Sequence, residues 1–139
     1  MRQATTKLTV NTHGEGLYEF TRELGRWVEG SGIREGLLTV FIRHTSASLT
    51  IQENADPNVQ VDLCDAFDRF APKTPGLYIH DDEGPDDMPA HIKSALTDVS
   101  LSIPVTEGKP AFGTWQGIYV FEHRTMPHRR TVVCHLIGE

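Results

Sequence analysis

The stretch Gly36-Leu-Leu-Thr-Val-Phe-Ile-Arg-His44 constrains the fold more than any other part of the chain. It is apolar at both odd and even positions. Successive strand residues point to opposite faces, so it reads as a central strand buried on both sides. Such a strand needs hydrogen-bonded neighbours and packed layers, which excludes an isolated hairpin. Its longest apolar run, Leu37 to Ile42, is interrupted by Thr39. That falls far short of the roughly 20 apolar residues a spanning helix needs, so no membrane segment is expected.

Around this strand the other elements follow from periodicity. Residues 3–10 alternate as a first strand. Leu17–Glu29 reads as a helix, with Leu17, Phe20, Leu24, Trp27 and Val28 at helical spacing and Gly30-Ser31-Gly32 to stop it. Ser48–Glu53 alternates, with Leu49, Ile51 and Glu53 on one face. Asp56-Pro57 supplies a cap and a first-turn proline for a helix to about Phe70. Val59, Leu63, Phe67 and Phe70 line one side of it. Ala71–Gly76 is a loop and Leu77–Pro85 is irregular. A short helix opens near Asp87-Met88-Pro89 and is expected to bury Ile92, Ala95 and Leu96. Strands at Val99–Val105, Trp115–His123 and Arg130–Ile137 complete the chain. The prediction is one α+β domain over 1–139, an antiparallel sheet or sandwich of about six strands with two or three helices.

Charge narrows the partners. Nineteen acids against 13 bases give a net charge of −6, and the one basic pair is Arg129–Arg130. Phosphate-backbone binding needs a basic surface, so nucleic acid is not an expected partner. Cys64 and Cys134 sit in apolar contexts without a CxxC motif, and read as buried free thiols. The N-terminus lacks the apolar core of a secretory signal, and the expected location is cytoplasmic.

Four of the seven histidines fall where a core does not readily explain them: His44, His80, His91 and His123. His44 and His123 end strands, while His80 and His91 flank the acidic segment Asp81–Asp87. Neutral imidazole is the commonest zinc ligand, and three such groups with an open position make a catalytic site. His44, His80 and His91 are therefore the expected metal ligands, for a divalent ion that is zinc before magnesium. One or two acids of Asp81–Asp87 would orient His80 or His91. Taken singly, each histidine is more often a hydrogen-bonded edge residue, and the case rests on the set.

Asp62 lies about 60° from Val59 on the helix wheel, at the border of the apolar face. Glu53 shares its strand face with Leu49 and Ile51. These two acids and His123 are the candidate proton-transfer groups. Thr45, Ser46 and Ser48 in a tight turn could hold phosphate oxygens, and Arg124 offers a forked contact to the same group. Asp65 and Asp68 point away from the apolar face and read as solvated.

The segments His44-Thr-Ser-Ala-Ser-Leu-Thr, Gln52-Glu-Asn-Ala-Asp-Pro, Asp81-Asp-Glu-Gly-Pro-Asp-Asp-Met-Pro-Ala-His-Ile-Lys-Ser, Gly113-Thr-Trp-Gln-Gly-Ile and Glu122-His-Arg resemble the YjbQ family in order and spacing. The resemblance covers nearly the whole chain. It implies an α+β fold, a homotrimer and a secondary thiamine-phosphate synthase activity. That reaction joins a hydroxymethylpyrimidine diphosphate to a thiazole phosphate and releases pyrophosphate. His44, His80, His91, His123, Asn54, Asp62 and Arg124 all fall inside matching motifs, which adds Asn54 to the candidate anion-binding set.

Two functions of different kind follow. The first is an enzyme acting on a small phosphorylated or heterocyclic substrate. The second is a trimeric module that binds a metal or anion without catalysis. A scaffold with scattered histidines is the bland alternative.

Overall fold

The computed structural model describes residues 1–139. Eight strands and three helices follow one another as β1 (Arg2–Thr12), β2 (Gly16–Glu19), α1 (Thr21–Ser31), β3 (Gly36–Ile42), β4 (Ala47–Glu53), α2 (Pro57–Phe70), α3 (Asp87–Leu96), β5 (Ser100–Thr106), β6 (Lys109–Pro110), β7 (Gln116–Glu122) and β8 (His128–Gly138). They build two antiparallel sheets, one of five strands in the order β1-β8-β3-β5-β6 and one of three in the order β2-β7-β4. The α+β class holds.

Strand β3 is central, between β8 and β5, but it is buried on one face only. Leu38, Val40 and Ile42 are sealed in the core, whereas Phe41 is 44% exposed and Leu37 is also open. The strand's alternation thus divides one covered face from one open face, as antiparallel sheets permit. The core joins Leu38, Val40 and Ile42 to Val132, Cys134 and Leu136 of β8, Leu24 and Val28 of α1, and Ile118 and Val120 of β7. Gly36 pairs with Gly138 where the backbones nearly touch. A Cβ on Gly36 would lie 2.3 Å from the Ile137 carbonyl oxygen.

Two local expectations change. Leu17 and Tyr18 belong to β2, not to a helix, because they pair with Phe121 and Val120 of β7. The ladder takes up their backbone groups, and the helix begins only at Thr21. Its end matches the glycine signal: Gly32 adopts φ 74°, and its N–H donates to Glu29. On α3 the buried side chains are Asp87, Pro89, Ala90, Lys93 and Ser94, with Leu96 exposed. Polar partners rather than apolar packing decide which face of α3 turns inward. Helix α2 begins as expected, with the Asp56 carboxylate accepting from Asn58 N at 2.9 Å and proline in the first turn. None of its residues is fully buried. No helix is long and apolar enough to cross a membrane.

Candidate metal centre

Helix α3 begins with Asp87 in its first turn and carries His91 four residues later, on the same helical face. The preceding loop turns back through Gly84, whose φ of 103° suits glycine, and so brings His80 over this face. The ring centroids of His80 and His91 are 5.5 Å apart. Both imidazoles aim Nε2 at one carboxylate oxygen: Asp87 Oδ2 lies 2.7 Å from His80 and 3.1 Å from His91. Glu83 Oε2 joins them, 3.2 Å from His80 Nε2. One donor atom from each of His80, Glu83, Asp87 and His91 falls within 4.8 Å of the others.

The surroundings fix these groups. His91 Nδ1 lies 2.8 Å from the Thr45 carbonyl oxygen, which can only accept, so that nitrogen carries the proton. In a neutral ring this leaves Nε2 as a bare lone pair facing a carboxylate. The contact is repulsive unless a cation, proton or metal, sits between them. Arg124 holds Asp87 from the other side, with Nη1 donating to Oδ1 at 2.8 Å, while its Nε donates to Asp86 at 2.9 Å and its Nη2 to the Glu83 carbonyl at 3.0 Å. The Asp86 carboxylate also accepts from Thr125 N and Oγ1.

The electrostatics follow these contacts. Burial would push the Asp86 carboxyl up, but the Arg124 and Thr125 hydrogen bonds outweigh it and hold the pKa down at about 2. Asp87 is likewise lowered against its burial, by the His80 hydrogen bond and by its charged neighbours. The Asp87 hydrogen bond raises His80. A cavity of about 700 Å³, lined by Leu77, Tyr78, Ile79, His80, Asp81, Asp82 and Met88, opens beside the centre.

This arrangement sits in a fold with known relatives. The model of UPF0047 YjbQ-like proteins matches residues 6–139. The chain belongs to the YjbQ family. A UPF0047 protein of Synechocystis sp. is 49% identical to it over 99% of this chain and 94% of its own length. UPF0047 protein YjbQ of Escherichia coli O157:H7 is 43% identical over 95% and 96% of the two chains. A solved yjbq/upf0047-family structure from Clostridium acetobutylicum matches with a TM-score of 0.87 at 37% identity, covering 95% of this chain and 99% of that one.

In this YjbQ-family chain the candidate residues divide. His80 and His91 meet, but the His44 ring does not join them. Its Nε2 accepts from Thr131 N at 2.8 Å, and burial, followed by the Arg130 charge, lowers its pKa. The segment reaches the centre through the Thr45 backbone carbonyl alone. His123 is 1% exposed, and its Nε2 meets Ser48 Oγ at 2.9 Å. Burial and the Lys93 charge hold its pKa at about 3. The Glu53 side chain accepts from Asp56 N at 3.1 Å, at the end of β4 remote from Thr45. Asp62 is exposed on α2 without a hydrogen-bond or ion-pair partner.

The expected anion cradle is also occupied by protein groups. Ser46 Oγ accepts from Arg130 Nη2 at 3.0 Å, Ser48 is sealed against His123, and Arg124 is taken up by carboxylates. Thr45 and Asn54 remain exposed, Asn54 donating its backbone N–H to Trp115. Arg124 is held by the carboxylates because two of its N–H groups each make a charge-assisted hydrogen bond to a different one, Nε to Asp86 and Nη1 to Asp87.

Glu83 and the pivotal role of Asp87 were not singled out from sequence. The i,i+4 relation of Asp87 and His91 on one helix was the available signal. Beneath the centre lies a second unforeseen pair: the fully buried Glu122 carboxylate is bound by Arg130 and Thr12. Burial would raise its pKa, but the Arg130 and Thr12 hydrogen bonds lower it overall.

Proposed function

We propose that the chain is a small enzyme whose His80–Glu83–Asp87–His91 centre binds a divalent metal and acts on a small phosphorylated substrate. The observation that carries this reading is the shared Asp87 Oδ2. Two imidazole Nε2 atoms converge on it, and His91 has already spent its Nδ1 proton on Thr45. A metal-ligating histidine is typically held in this way, with its other ring nitrogen donating to a carbonyl oxygen that fixes the ring. Two nitrogen donors with carboxylate oxygens favour zinc; magnesium prefers an all-oxygen shell. Such an ion would neutralise the charge of a phosphate or pyrophosphate group at a loop that is otherwise acidic. Asp87 is oriented by Arg124, whereas the exposed Glu83 is free to give up its place to substrate or to take a proton.

The specific reaction proposed is the pyrophosphate-releasing alkyl transfer of a weak thiamine-phosphate synthase. The resemblance in sequence supports it. Metal analysis of untagged protein, zinc titration and a product assay on the wild type and His91→Ala test the proposal together. Stoichiometric zinc and turnover, both lost in a folded His91→Ala protein, are expected. Unchanged turnover in that variant would refute the assignment.

The alternative is a trimeric binding module without catalysis, favoured by one observation: Asp62 and Glu53 lie outside the centre. Saturable zinc binding with no product above a His91→Ala control would select it. The homotrimer is part of both proposals. Apolar side chains left open on one chain support it, among them Val61, Phe70, Leu77, Leu96 and Ile79, the last wholly exposed. Light scattering coupled to size exclusion measures it. Two free cysteines support the proposed cytoplasmic location.

A further inference from the structure

Behind the metal centre lies a separate polar cluster that the proposed function does not use. Lys93 is 2% exposed and points away from His91, toward α2, where Nζ lies 2.6 Å from Asp68 and 3.6 Å from Glu15. Lys73 binds Glu15 at 2.8 Å on the outer side. His123 approaches the same place from the end of β7, with its ring 4.5 Å from that of Phe121 and parallel within 4° to that of Phe67, 6.4 Å away. Its Nε2 is satisfied by Ser48, but its Nδ1 is buried with no hydrogen-bond partner among the protein groups. A void of about 10 Å³ separates these groups, lined by Glu15, Cys64, Phe67, Asp68, Lys93 and Phe121, with Glu122 and His123 closing it.

We infer that this void is a hydration site holding one ordered water on His123 Nδ1, with Lys93 and the Glu15 and Asp68 carboxylates as its other partners. The size is right for a single water and too small for any organic ligand. The lining is right as well: an ammonium with a donor to spare, two carboxylates, and an imidazole nitrogen lacking its bond give a water its usual two to four partners. Because burial keeps the ring neutral at ordinary pH, one nitrogen donates and the other accepts. The water serves Nδ1 in either tautomer, since it both donates and accepts. It links the Ser48–His123 pair to the Lys93–Asp68–Glu15–Lys73 chain, which leads to the surface. His123 is thereby an internally bonded group that does not line the cavity beside His80.

A crystal structure of the native protein tests this directly. One solvent peak within hydrogen-bond distance of His123 Nδ1 is expected, and a dry void at that position would overturn the inference. Cys64→Met is the second test, because the longer side chain fills the void from a half-buried position. It should displace the water, shift the His123 Nδ1 nitrogen resonance and lower Tm. A folded Cys64→Met protein with the wild-type resonance and Tm would refute the hydration site. Neither result depends on whether the neighbouring centre binds metal.

Discussion

Two histidine-bearing regions lie back to back on α3 and differ in every property that matters for chemistry. On one side His80, which lines an open cavity, and His91 meet at Asp87, with Nε2 atoms directed at a shared oxygen. On the other, His123 is sealed among Phe67, Phe121 and Ser48, and the neighbouring Glu122 is neutralised by Arg130. The open region holds excess negative charge that invites a cation, whereas the sealed region has paired its charges internally. Charge compensation within the fold contributes stability; charge left uncompensated at a cavity creates a binding site.

The largest test of this contrast is Arg130→Ala. It strands the buried Glu122 carboxylate and should cost about 3–5 kcal/mol by urea denaturation. A loss below ~1 kcal/mol would mean that water reaches Glu122 and the region is not sealed. Asp87→Asn probes the open side. In the folded variant, zinc binding should weaken by ~100-fold or more in calorimetric titration, beyond the range seen for outer-shell groups. Arg124→Ala, which removes only the clamp on Asp87, should weaken zinc by ~10–100-fold. Equal zinc affinity in both variants and wild type would erase the distinction between the two regions.

Acid titration gives a smaller, graded effect. His123 is depressed to about 3 in the folded protein from an ordinary 6.5. The unfolded chain then binds a proton that the folded one refuses. Stability contributed by this group is complete above pH 6.5 and falls as pH drops toward 3, by up to about 1.4 kcal/mol per unit. Asp86 acts lower, its contribution present above 3.8 and lost as pH falls through about 2. Denaturation curves from pH 7 to 4 should therefore weaken through His123 first, and a folded His123→Phe protein should lose that slope. Asp62→Ala should have the smallest effect, under ~0.5 kcal/mol, since the side chain is exposed and unpartnered. A loss of zinc affinity in that variant would place Asp62 at the centre in the assembled protein.

Much of this was legible in the residues. The Asp56-Pro57 cap, the glycine stop after α1 and the alternation of β4 depend on contacts within a few positions, and each appears where local chemistry demands. Leu17 and Tyr18 misled because helical spacing and a strand paired to a distant segment look alike over four residues. At the candidate site, His80 and His91 share one short loop and helix, so their meeting was nearly a local event. His44 and His123 came from strand ends whose surroundings are supplied by β8 and α2, and sequence alone could not tell an open rim from a closed interior.

The chain by itself therefore determined its class, its elements and the acidic, histidine-rich character of one loop, because these arise from interactions between residues close in sequence. Only the tertiary structure decided which charges are cancelled and which remain exposed. Arg124 and Arg130 reach carboxylates from opposite ends of the β7–β8 turn, and nothing short of folding sets those distances. Coulombic and desolvation energies depend on separation and burial, neither of which has a local signature.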